Sequence, residues 1–245
     1  MYARVIGILI LISFTSCKSG KAEDTLESEV EQDSPELVEQ WAAEGVSKAT
    51  GKSVAEVKSL DGVEKFAKAA KDSAEEAFRS SNDRNDERQV FVFIDEIREA
   101  AGKFDVAFKS LVSVGLRGGA AAVIGNMSSA LGRLELAGKL TRLAERGGGN
   151  ALEEASEAAL ESGGDVSCIK EIENNKEYTD APANGIKACV KNLMEGVADL
   201  FEEGVRDKLG LALKDTPYKF KDPLGNLWDA AHAMSAASYK VMLKY

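Results

Sequence analysis

Residues able to act as nucleophile, acid–base catalyst or metal ligand are scarce in this chain. It carries one histidine, His232, and three cysteines, Cys17, Cys168 and Cys189. A catalytic triad needs a nucleophile, a base and an orienting acid that converge from separate elements. Asp229 and Ser235 neighbour His232 only within one or two turns of a single helical segment, so a structural histidine is expected. A zinc site needs three or four clustered ligands, and His232 is far in sequence from both internal cysteines. Asp83, Asn85 and Glu87 imitate the opening of a calcium loop. Arg88 stands where that loop needs glycine, however, and Ile94 where it needs a bidentate acid. The glycines of residues 115–125 have neither G-x-G-x-x-G nor P-loop spacing. Glu153, Glu154, Glu157 and Glu161 fall on one helical face, the pattern of a solvated surface. The expectation is a protein that is not an enzyme, with no metal and no dissociable cofactor.

Cys17 is the exception. Residues 1–4 form a short basic start, and residues 5–14 (VIGILILISF) form a ten-residue apolar run, followed by Thr15, Ser16 and Cys17. The run is too short to span a bilayer and ends at a small residue, as a secretory signal does. A cysteine directly after that small residue marks a bacterial lipoprotein signal. In such signals a diacylglycerol is attached to the thiol, the chain is cut between Ser16 and Cys17, and the new amine is acylated. Each buried methylene contributes about 0.8 kcal/mol, so two or three acyl chains hold a protein on a membrane without spanning it. The competing readings are an ordinary signal peptide with a coincidental cysteine, or an uncleaved anchor.

Cys168 and Cys189, 21 residues apart in an exported chain, suggest a disulfide that pins two helices together. The alternative is two buried free thiols. Near the C-terminus, lysines and aromatic residues interleave: Lys219, Phe220, Lys221, Lys240 and Lys244, with Tyr218, Trp228, Tyr239 and Tyr245 among them. Cations beside aromatics often anchor interfaces, and these five residues form the candidate partner-binding patch. The competing reading places the aromatics in the core and leaves the lysines merely solvated.

Such residues need a scaffold, and the composition describes one. The chain has 245 residues, 44% hydrophobic and 29% charged, with a net charge of −10. That is enough apolar content for a core, and the acidity makes nucleic acid an unsuitable partner. Residues 1–16 are assigned to the signal, 17–35 to an acidic flexible tether, and 36–245 to a single helical domain. The tether (from residue 18) holds six acids and two lysines, although Leu26 and Val30 are also spaced for a helical extension. Ser34-Pro35-Glu36 and Ser53-Val54-Ala55-Glu56 are helix starts. Leu37, Trp41 and Ala42 supply a stripe to the first of these helices. Val57, Leu60, Phe66, Ala70, Ala74 and Phe78 supply one to the second, with Gly62 as a possible interruption. Val90, Ile94, Ile97, Ala101, Phe104, Phe108 and Leu111 alternate spacings of four and three, a sustained bundle seam. Further helices are expected from Met127, over residues 151–161 and 165–174, from Ile186 with Val190, Leu193, Val197 and Leu200, and over 224–243. No strand alternation appears. The fold class is all-α: an antiparallel helical bundle with additional short helices behind a disordered, lipidated tether.

The Phe14-Thr15-Ser16-Cys17 box, the acidic tether and the helical body together resemble the helical surface lipoproteins of Borrelia spirochaetes. That resemblance implies Cys17 as the lipidated residue and the cell surface, on the outer membrane, as the location. It also implies capture of a host macromolecule, a complement regulator such as factor H, or plasminogen, in immune evasion. Two other roles fit the same architecture: an antigenic coat lipoprotein without a dedicated ligand, and a periplasm-facing envelope assembly or carrier lipoprotein.

Overall fold

A computed structural model of the chain describes residues 34–83, 89–146, 150–161, 167–174 and 181–245. The signal, Cys17 and the tether up to residue 33 lie outside the described residues, as do Asn85, Glu87 and Arg88. Residues 34–245 form one compact unit, and the described residues contain helices and no strand. The fold is all-α, with its helices packed around a common core. No described helix is long and apolar enough to cross a membrane.

Helix α1 (Pro35–Thr50) starts as its capping pattern requires. Ser34 Oγ accepts the Leu37 N–H and Pro35 holds the first position. Its buried face is Ala42, Ala43 and Val46, whereas Leu37 and Trp41 stand in solvent, Trp41 at 43% exposure. The expected stripe is thus rotated toward the smaller residues. Ser53 caps only a single turn, α2 (Val54–Val57), and Ser59 caps the long α3 (Leu60–Asn82) by accepting the Gly62 N–H at 3.0 Å. The break therefore lies at residues 58–59, ahead of Gly62. Gly62 permits it: a Cβ there would lie 2.2 Å from the Glu56 carbonyl oxygen.

The buried stripe of α3 is Val63, Ala67, Ala70, Ala74, Ala77 and Ser81, at alternating spacings of four and three. Phe66 and Phe78 flank it, only partly buried, and Leu60 is exposed. Small side chains let helices approach closely, so this stripe packs tightly against α4 and against α10 (Lys221–Met242). The buried residues of α10 are likewise mostly small: Ala230, Ala231, Ala233, Ser235, Ala237 and Ser238, beside Pro223, Leu224, Leu227, Met234 and Val241. Helix α4 (Val90–Ser113) is the hub, in contact with α1, α3, α5 and α10. Phe93, Ile94, Ile97, Phe104, Phe108 and Leu111 are all fully buried, and the Phe104 and Phe108 rings stack with centroids 6.3 Å apart. Gln89 offers α4 no side-chain cap, and the Glu145 carboxylate from α5 accepts the Val90 N–H instead. Burial nevertheless pushes the Glu145 carboxyl above its usual range.

Helix α5 (Ala120–Arg146) starts seven residues before Met127, because the glycines of residues 115–119 are its entry and not a long linker. At the end of α4, Leu116 N–H bonds to Leu111 O and Gly115 N–H to Val112 O. That is a Schellman closure around the left-handed Gly115, φ 103°. Helices α6 (Ala151–Glu161) and α7 (Ser167–Asn174) follow. Helix α8 (Pro182–Asp199) starts at Pro182, four residues before Ile186, because proline suits a first helical position. It runs through a π-helical segment, Leu200–Arg206, into α9 (Asp207–Asp215). The wider π turn passes the seam from Val197 to Phe201, Val205 and Leu209 and leaves Leu200 only partly buried. A 3₁₀ turn (Tyr218–Phe220) then leads into α10, which begins three residues before Leu224.

Candidate functional site

Helix α9 stops at Thr216, whose extended backbone precedes Pro217. Pro217 O accepts the Phe220 N–H at 2.9 Å and closes the 3₁₀ turn. Phe220 is 3% exposed and belongs to the core, so it anchors the turn from inside. Two positions earlier Tyr218 points the opposite way and is 84% exposed. Phe220 is therefore corrected from contact residue to anchor. Lys219 Nζ lies 4.7 Å from the Phe220 ring centroid, and Lys221 Nζ 6.0 Å from that of Tyr218. Both lysines are exposed.

The expected patch does not form one surface. Lys219 and Lys221 stand at the start of α10, and Lys240 and Lys244 at its far end. At 1.5 Å per residue the separation is about 30 Å. Lys240 is exposed, while Lys244 Nζ sits 4.4 Å over the Phe93 ring and so serves an internal cation–π contact.

Residues that the sequence reading overlooked complete the first half of the patch. Lys208, Leu211 and Ala212 of α9, with Thr216, Pro217 and Phe220, face residues 115–119 across an open cleft of about 440 Å³. Leu211 on its rim is 57% exposed. Arg117 on the opposite wall donates to Pro35 O at 3.1 Å and pairs with Glu39, which fixes the α4–α5 loop to α1. A signal for Leu211 was present: Val205 and Leu209 continue the seam, and Leu211, two residues on, cannot share their face.

The lone histidine belongs to a different cluster. Asp229 is taken by Lys71 of α3, and Ser235 is buried. His232 faces the π segment instead: its Nδ1 accepts from Arg206 Nη1 at 3.2 Å and lies 3.7 Å from Glu202 Oε2. Arg206 also pairs with Glu202 and covers the Trp228 ring, which stacks on His232. Arg206 also pairs with Asp207, so the imidazole sits in a solvent-open cluster of one arginine and two carboxylates. Beside it, the Tyr239 hydroxyl donates to Asp199 at 2.8 Å, a bond that holds the phenol above its usual range. Among the described residues no group of three His, Cys, Asp or Glu side chains is placed to hold a metal ion.

Cys168 of α7 and Cys189 of α8 lie at disulfide distance, with Cα atoms 5.4 Å apart. Comparison with protein-family models, with curated proteins and with solved structures finds no match.

Proposed function

We propose that this chain is a non-catalytic, lipid-anchored lipoprotein of the outer bacterial surface that captures a host serum macromolecule, a complement regulator or plasminogen. The anchor is the covalent lipid on Cys17, and the contact is the corner formed by α9, the 3₁₀ turn and the start of α10. One observation carries the reading. Leu211 and Tyr218 stand in solvent beside Lys208, Lys214, Lys219 and Lys221, all of them exposed, on a chain with a net charge of −10. Exposed aromatic and aliphatic side chains ringed by cations form a recognition surface.

The test is capture from whole host serum on the full chain at physiological salt, with retained proteins identified by mass spectrometry. One saturable partner, lost in Tyr218→Ser/Lys219→Ser/Lys221→Ser, supports the reading. Phe220 stays untouched because it holds the core. Absence of any partner overturns host capture in favour of a coat antigen or envelope component. For the anchor, Cys17→Ala is expected to abolish metabolic palmitate labelling and release the protein from membranes. Surface display predicts cleavage by protease added to intact cells, and resistance until lysis reverses that assignment.

In an exported protein the Cys168–Cys189 pair is oxidised. Closing the intervening loop stabilises the fold by about 3 kcal/mol on the chain-entropy view. Alkylation without reductant should label neither thiol. Cys168→Ser/Cys189→Ser should lower the unfolding free energy by about that amount, with no further loss on adding reductant.

A further inference from the structure

The cleft beside the exposed corner has an unbalanced chemistry. Its walls are mostly apolar: Leu116, Leu211, Ala212, Pro217 and Phe220. Among the described residues its charged lining is Arg117 and Lys208, with no carboxylate, although acids outnumber bases by 41 to 31 in the whole chain. Arg117 is already neutralised by Glu39. Lys208 is exposed, and no ion pair satisfies it among the described residues. On its other flank Lys208 borders a second depression, about 470 Å³, where Arg133, Asp199 and Glu203 bring both signs of charge. Among the described lining residues, only the first cleft is without negative charge.

From this complementarity we infer that the α9/α4–α5 cleft receives an acidic peptide segment of the partner. One apolar side chain of that segment enters between Leu116, Ala212 and Pro217, and a flanking carboxylate pairs with Lys208. The inference rests on the reading of the corner as a binding surface and names the kind of partner that surface takes. The cleft is open along one side, and Leu211 and Tyr218 continue its apolar surface outward. An extended peptide can use both floor and rim, with the apolar anchor providing burial and the carboxylate fixing register.

The probe is a phage-displayed library of random dodecapeptides, panned on the full chain held in phosphatidylcholine nanodiscs. The expected outcome is enrichment of peptides with an apolar residue flanked by Asp or Glu. A synthetic copy of the most enriched peptide should bind at least tenfold more weakly to Lys208→Glu and to Ala212→Trp. The first reverses the charge and the second fills the cleft without changing charge. Its affinity should also fall as salt rises. Circular dichroism confirms that each variant is folded, and Leu211→Ser replaces whichever of the two is not. Enrichment of neutral or basic peptides, no enrichment, or binding indifferent to both variants overturns the inference. The two readings fail separately. A serum partner retained by Lys208→Glu and Ala212→Trp keeps host capture and discards the cleft. Cleft-dependent acidic peptides without any serum partner keep the cleft and discard host capture.

Discussion

Along α3 and α10, two helices packed on each other, the buried faces are built largely of alanine and serine. At the α9–α10 corner the larger Leu211 and Tyr218 stand in the open between lysines. Side-chain size alone would assign these regions the other way round. A small residue removes little apolar area by itself, but it lets two backbones approach and so brings every neighbouring atom into dispersion range. A large residue left outside costs the fold little and remains available to another molecule. The seam stores stability, whereas the corner stores contact surface.

The strongest way to break this division is to truncate one core ring and one corner ring. Phe104→Ala empties a fully buried site at the hub of α4 and should cost about 3–5 kcal/mol in urea unfolding. Tyr218→Ser should stay within about 0.5 kcal/mol of the parent. Comparable losses from the two would show that the corner is structural, and the division would fall.

Overfilling the seam tests the other half. Ala74 is fully buried on the small stripe of α3, and Ala74→Leu should cost about 1–3 kcal/mol because α4 and α10 leave it no room. Serum capture measured well below the unfolding midpoint should be unchanged. A seam that accepts leucine without loss is loosely packed.

Glycines sharpen the same distinction at a finer scale. A Cβ on Gly62 meets backbone, the Glu56 carbonyl oxygen at 2.2 Å, while one on Gly196 meets the end of the Arg133 guanidinium at 2.1 Å. Backbone cannot step aside, but an arginine can. Gly62→Ala should cost about 1–3 kcal/mol by displacing the α2–α3 turn. Gly196→Ala should cost less than about 1 kcal/mol, because the helix propensity of alanine offsets the arginine's movement. Unfolding midpoints of the two variants decide the order, and the reverse order would mean that the α5–α8 contact is the rigid one.

Much of the scaffold was legible because helix geometry writes itself as spacing. The α4 seam, the Ser34 and Ser53 caps and the acidic α6 follow from a 3.6-residue period and from side chains that satisfy orphan N–H groups. The α3 seam was legible in part: Ala70 and Ala74 lie on the buried stripe, but hydrophobicity draws the eye to Phe66 and Phe78, whereas close approach selects alanine. Gly119 and Pro182 are helix entries, several residues ahead of the starts expected at Met127 and Ile186; only the neighbouring turn geometry sets those starts. The π segment left a trace in Val197, Phe201, Val205 and Leu209, whose repeated spacing of four outruns an α-helix. The candidate site was half legible. Sequence brings Lys219, Lys240 and Lys244 near one another, but a straight α10 places them at opposite ends. Which of Tyr218 and Phe220 turns inward depends on a core contact that no local pattern encodes.

The smallest effect concerns the rim of the seam, where Lys71 Nζ meets Asp229 Oδ2 at 2.5 Å across α3 and α10. The hydrogen bond to Asp229 holds the Lys71 ammonium above its ordinary value. The folded state therefore keeps that proton more tightly than the unfolded chain does. The resulting stability is fully present below the unfolded lysine value, about 10.4, and is lost as pH rises through the higher folded value. Both partners are partly exposed, so solvent screening limits the pair to about 0.5 kcal/mol. Asp229→Asn should leave neutral stability almost unchanged and flatten the loss of stability above about pH 10, with the difference shrinking in high salt. Identical alkaline slopes in the two proteins would mean that the pair contributes nothing and that the α3–α10 seam is held by its packing alone.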